Sequence, residues 1–66
     1  MNIHINGEAT EAPDGSSVAS LLEQLDIKAT RVAVELNLEI VPKANYQETL
    51  IQEGDRLEVV GFVGGG

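Results

Sequence analysis

The residues of this chain that could take part in chemistry are few, and the most distinctive are the C-terminal Gly64, Gly65 and Gly66. Glycine has no Cβ, so such a tail can extend through a channel that is too narrow for side chains. A carboxylate is a poor electrophile, but adenylylation of Gly66 would create a good leaving group. A sulfur nucleophile could then attack the carbonyl carbon and leave a terminal thiocarboxylate. The alternative is a frayed chain end without a role.

No other group suggests a catalytic or metal centre. Cysteine is absent, which excludes disulfides, thiolate metal sites and thiol nucleophiles. His4 is the single histidine, and we expect it in solvent on the polar face of the first strand. The carboxylates are scattered and do not match a calcium loop. We therefore predict no catalytic residues, no metal and no bound cofactor, with partner enzymes acting on the tail.

Charge and hydropathy limit the partners and the location. A formal charge of −7 would repel nucleic acid and anionic membranes, so we predict neither as a partner and favour a protein with a basic patch. No segment approaches the roughly 20 apolar residues of a membrane span, and no basic leader precedes the first strand. We predict a cytoplasmic, soluble protein.

Apolar periodicity predicts an α+β domain in the order β-β-α-β-β-β, with one helix across one face of a mixed sheet of four to five strands. Asn6-Gly7 is a preferred two-residue hairpin turn. Pro42 places the fourth strand at an edge. We expect residues 1–62 to form the domain and residues 63–66 a flexible tail. The predicted strands cover residues 1–6, 8–12, 31–36, 39–41 and 57–62.

Two shorter elements complete this prediction. Ser16 or Ser17 can cap the helix. Its apolar stripe consists of Val18, Leu21, Leu22 and Leu25. A single helical turn is expected around residues 45–48, followed by a loop.

Candidate partner contacts lie close to the tail. Val60 and Phe62 alternate in phase with Glu58, which should face water, so they are exposed apolar groups beside a reactive segment. The alternative for Phe62 is that the strand curls and buries it. Val63 begins the tail, and Lys43 could pair with an acidic group of a partner or extend into solvent.

These features together resemble the ThiS family of thiamine-biosynthesis sulfur carriers, within the ubiquitin-like β-grasp superfamily. The resemblance spans essentially the whole chain. Two residues depart from the family pattern. Leu38 stands where a glycine would ease the turn, so we expect the Asn37 turn to be longer or of another type. Lys43 stands where arginine is common. The matching motifs are Asn6-Gly7, Ser17-Val18, Leu21-Leu22, residues 32–37, Ile40-Val41-Pro42-Lys43, Tyr46, residues 53–58 and residues 62–66.

The resemblance implies a parallel pairing of the first and last strands at the centre of the sheet. It also implies that a ThiF-like adenylyltransferase uses ATP to activate Gly66 and that a cysteine desulfurase or similar donor supplies sulfur. A ThiG-like thiazole synthase would then accept the sulfur. Two alternatives remain open, namely a carrier like the small subunit of molybdopterin synthase and a ubiquitin-like protein modifier.

Overall fold

The sheet and its helix follow the predicted order. A computed structural model describes residues 1–61, which form one five-stranded sheet with the strand order β2-β1-β5-β3-β4. The pairing of β1 with β5 is parallel, and the other three pairings are antiparallel. The elements are β1 (Asn2–Ile5), β2 (Glu8–Glu11), α1 (Val18–Gln24), a first 3-10 turn (Ala29–Arg31), β3 (Val32–Leu36), β4 (Glu39–Val41), a second 3-10 turn (Lys43–Asn45) and β5 (Arg56–Gly61).

The helix begins at a reciprocal serine cap. The Ser20 amide donates to Ser17 Oγ at 3.0 Å, and the Ser17 amide donates to Ser20 Oγ at 2.8 Å. These two bonds satisfy N–H groups that the first helical turn leaves without intrahelical partners. The prediction that Leu25 continues the apolar stripe is wrong. Leu25 follows the last helical residue, is 36% exposed, and precedes Asp26, whose positive φ of 60° turns the chain.

The core fills the space between α1 and one face of the sheet. Burial of each large apolar side chain contributes about 1.5–3 kcal/mol, which holds a helix of only seven residues that would be marginal alone. The completely buried large side chains are Ile3, Val18, Leu21, Leu22, Val34 and Leu57.

Both hairpin turns contain two residues. Asn6 and Gly7 have φ values of 51° and 82°, and Asn37 and Leu38 have 51° and 72°. The expectation that Leu38 lengthens or changes its turn is therefore wrong, because the pairing of β3 with β4 holds Leu38 in the left-handed region. A non-glycine residue there costs about 1–2 kcal/mol.

The connections differ from the sequence prediction in two places. The first 3-10 turn was not predicted, because three residues show no recognisable period. The second begins at Lys43, two residues earlier than expected, directly after Pro42 with its φ of −63°. Hydrogen bonds from the Glu48 and Thr49 amides to the Asn45 carbonyl then continue the turn.

Candidate functional site

Three strand ends meet at the C-terminal end of β5. Gly61, the last residue of β5, pairs with Val32, the first residue of β3. Because β4 runs antiparallel to β3, Val41 and the residues after it lie at the same end. We call this region, defined by Val32, Val41 and Gly61, the tail end of the sheet. The predicted site residues Phe62, Val63, Gly64, Gly65 and Gly66 lie outside the described residues.

Val60 is the predicted partner contact that lies within β5. It pairs with Ala33 of β3 and is 60% exposed. Its neighbour Val59 is partly buried against the core, and Leu57 is completely buried, so the predicted alternation along β5 is correct. Val60 therefore lies on the face of the sheet opposite α1, which we call the open face. Its contact with a partner stays a prediction.

Lys43 lies at the tail end and is engaged within the protein. Its Nζ donates to the Thr30 carbonyl at 3.1 Å, which joins the second 3-10 turn to the first. Lys43 is exposed, as the solvent alternative expects, but this bond holds its ammonium against the protein. Whether its ammonium also meets an acidic group of a partner stays a prediction.

The cations of the chain are concentrated at this end. The chain has four Lys and Arg residues, and three of them lie at the tail end. Lys28 and Arg31 precede the start of β3, and Lys43 follows the end of β4. The Arg31 amide binds the Lys28 carbonyl at 2.9 Å, which fixes their short turn. Asp26 precedes this turn and offsets part of the charge.

Sequence reasoning missed a second part of the open face. Glu35 of β3 lies directly opposite Glu58 of β5, and Ile40 of β4 lies opposite Glu35 with 75% of its side chain exposed. The alternation of apolar and polar residues within each strand could have indicated which residues of that strand share this face. The register between distant strands, which decides which side chains are opposite, is not written in any local pattern.

His4 departs from its prediction. The side chain is only partly exposed, and its Nδ1 atom is buried without a hydrogen-bond partner. Within residues 1–61, no group of three or more His, Asp or Glu residues is arranged to hold a metal ion. In the same part of the chain, no helix has the length and apolar character that crossing a bilayer requires.

Known proteins share this sequence and fold. The sequence model of the ThiS family matches residues 3–66. The chain belongs to the ThiS family. The sulfur carrier protein ThiS of Escherichia coli (strain K12) is 33% identical over 66 residues, and the alignment covers 100% of both chains. The crystal structure of ThiS from Geobacter metallireducens matches with a TM-score of 0.87 and 33% identity, again over 100% of both chains.

The ThiS-like sequence also occurs within a larger protein. A thiazole synthase of Paramagnetospirillum magneticum is 46% identical over 66 residues, which are 100% of this chain and 20% of that protein. The chain thus spans about a fifth of the length of that relative. Together with the structural match, membership of the ThiS family confirms the predicted ubiquitin-like β-grasp fold.

Proposed function

We propose that this chain is a sulfur carrier of thiamine biosynthesis that holds sulfur as a thiocarboxylate on Gly66. The observation that carries the proposal is the end-to-end match with a sulfur carrier protein, which covers 100% of both chains. The family match supports it further because it continues to residue 66 and so includes all three terminal glycines. The chain contains no cysteine that could carry sulfur instead.

The chemistry divides into two steps, and both leave this chain in the role of substrate. First, a carboxylate oxygen of Gly66 attacks the α-phosphorus of ATP, and pyrophosphate leaves. Second, a sulfur nucleophile attacks the acyl carbon, and AMP leaves with the former carboxylate oxygen. Sulfide gives the thiocarboxylate directly, whereas a persulfide gives an acyl disulfide, which a thiol must cleave; the thiol is oxidised to a disulfide and the thiocarboxylate is released. Activation by adenylylation makes the acyl carbon electrophilic, so no nucleophile of the carrier is needed. We assign the first step to a ThiF-like adenylyltransferase and the sulfur supply to a cysteine desulfurase or similar donor.

Thiazole synthase is the acceptor that we propose. A thiazole synthase contains a region resembling this entire chain, and covalent connection of two modules raises the effective concentration of one at the other. This arrangement supports direct transfer between carrier and synthase. Val60 and Lys43, with Phe62 and Val63, are the contacts that we propose for these partners, and Gly64 and Gly65 are the segment that enters the active site.

The deciding measurement is the intact mass of the protein after incubation with the adenylyltransferase, ATP and a sulfur donor. Replacement of one oxygen by sulfur should appear, and it should disappear in a variant that lacks Gly65 and Gly66. The absence of any shift in the full chain would contradict the proposal. Thiocarboxylated protein should then transfer sulfur to thiazole synthase, whereas transfer only to the large subunit of molybdopterin synthase would assign the other pathway.

A further inference from the structure

The side-chain amide of Asn6 binds the backbone of the strand that leads into the tail. Its Oδ1 accepts from the Val59 amide at 2.8 Å, and its Nδ2 donates to the Val59 carbonyl at 3.2 Å. The two residues are 53 positions apart in the chain. An asparagine side chain has one acceptor and one donor group in a planar amide, so it can satisfy both backbone groups of one residue.

This contact continues the sheet beyond the point where β1 ends. The His4 amide donates to the Asp55 carbonyl at 2.9 Å, and the Asn6 amide donates to the Leu57 carbonyl at 2.8 Å. At Asn6 the chain turns away toward β2, so the backbone of β1 cannot reach Val59. The Asn6 side chain takes its place and supplies the next pair of bonds. Val59 is two residues before Gly61, the last residue of β5.

The other hairpin turn provides a matched contact at the opposite end of β5. Asn37 has the same φ of 51° as Asn6, and its Oδ1 accepts from the Arg56 amide at 3.0 Å. Its Nδ2 donates to Asp55 Oδ1 at 3.1 Å. Arg56 begins β5, five residues before Gly61, which corresponds to about 16 Å of extended strand. One asparagine therefore holds the start of β5, and the other holds the part next to the tail.

We propose that Asn6 is a positioning residue that fixes the end of β5 and so directs the following segment, with Gly66, into the active site of the adenylyltransferase. This inference rests on the proposed function. Without the two bonds to Val59, only the pairing with β3 would hold the end of β5, which would then open more often. Because only the ordered form presents the tail correctly, the apparent affinity for the enzyme falls with the ordered fraction. The chemical step itself should not change.

The test compares Asn6→Gly with Asn37→Gly in the full chain. Glycine accepts the positive φ of both turns, so each variant removes a side-chain amide and keeps the backbone conformation. Hydrogen exchange of individual amides, followed by NMR, reports on β5 in the free protein. Pyrophosphate release by the adenylyltransferase, measured against the concentration of the carrier, separates KM from kcat. Circular dichroism checks that both variants are folded.

For Asn6→Gly we expect faster exchange of the Val59 amide and a KM raised about three- to tenfold, with kcat changed by less than about twofold. Asn37→Gly should accelerate exchange at Arg56 and leave KM close to that of the wild type. Asn6→Asp keeps the acceptor for the Val59 amide and should restore part of its protection. An unchanged KM for Asn6→Gly, or equal increases in both glycine variants, would overturn the proposal.

The two proposals can fail separately. If the wild-type chain gives no pyrophosphate release, the proposed function fails, and the role of Asn6 in adenylation fails with it. If release occurs but the Val59 amide exchanges equally fast in the wild type and in Asn6→Gly, only the positioning role is overturned.

Discussion

Glu35 of β3 and Glu58 of β5 lie directly opposite each other on the open face of the sheet. Like charges in opposite positions of neighbouring strands destabilise a sheet, by an amount within the range of about 0.2–1 kcal/mol for cross-strand pairs. Ile40 is exposed on one side of this pair, and Val60 lies two residues farther along β5. A local conflict of this kind often marks a functional surface. A basic group of a partner, placed between the carboxylates, would relieve the repulsion.

Glu35→Gln should therefore stabilise the free protein by about 0.3 kcal/mol, and the gain should decrease at high ionic strength because salt screens exposed charges. Urea denaturation at low and high salt measures both effects. Glu39→Gln is the matched control, since Glu39 lies opposite Leu36 and not opposite an acid. A gain that is equal for the two variants would show that net charge, and not this pair, is responsible.

Leu38 occupies in its turn the position that Gly7 occupies in the other, and its side chain is 89% exposed. Removal of the side chain therefore loses little packing. The left-handed backbone conformation of Leu38, in contrast, raises the free energy of the folded state. Leu38→Gly should stabilise the protein by about 0.5–1 kcal/mol, the steric gain being reduced by the greater freedom of glycine in the unfolded chain. Thermal unfolding should show a higher Tm. Gly7→Leu should have the opposite effect, and a Leu38→Gly protein less stable than wild type would refute the strain at this turn.

Local patterns were sufficient to predict most of the framework. The alternation around Val32 and Val34, the Asn6-Gly7 turn and the serine before the helix each express a preference within a few residues. The order of elements followed from these preferences together. The end of α1 was missed because the apolar spacing continues to Leu25, whereas the backbone turns at Asp26.

The features of the site that were missed depend on contacts between distant segments. The bonds of Asn6 to Val59 span 53 residues, and the bond of Lys43 to the Thr30 carbonyl spans 13. No periodicity encodes either distance. A turn asparagine is predicted equally well whether or not its amide reaches another strand, so its second role becomes visible only once the strand order is known.

Val60 should contribute to partner binding through its apolar surface. Val60→Thr replaces a methyl group by a hydroxyl and keeps the β-branched shape, so the strand should remain intact. We expect the KM of the adenylyltransferase for the carrier to rise about three- to tenfold, as for an exposed apolar contact that becomes buried in a complex. Leu50→Thr is the control. The exposed fraction of Leu50 is 59%, close to the 60% of Val60. Leu50 lies elsewhere, beside the start of α1, where it forms a β-bridge with Ser17. Equal effects of the two substitutions would argue against a specific contact at Val60.

Lys43 tests whether the positive charge at the tail end serves recognition or only folding. Lys43→Met keeps the length of the apolar stem and removes the ammonium, with loss of the bond to the Thr30 carbonyl. Because that bond is exposed, we expect a stability loss of no more than about 0.5 kcal/mol in urea. If a partner carboxylate binds the ammonium, kcat/KM for adenylation should fall about three- to tenfold at low salt, and by less at high salt.

Two further variants distinguish a specific contact from a general effect of charge. Lys43→Arg keeps the charge and should retain most of the activity. Lys28→Met removes a neighbouring cation at the same end of the sheet and should change kcat/KM by less than Lys43→Met does. If Lys43→Met lowers stability but leaves the kinetics unchanged at both salt concentrations, Lys43 acts within the fold and not in recognition. If a partner carboxylate binds Lys43, Lys43→Met should instead lower kcat/KM by more than Lys28→Met does. The reason is that the interaction of a buried ammonium with a carboxylate depends on the position of the ammonium and not on the total charge.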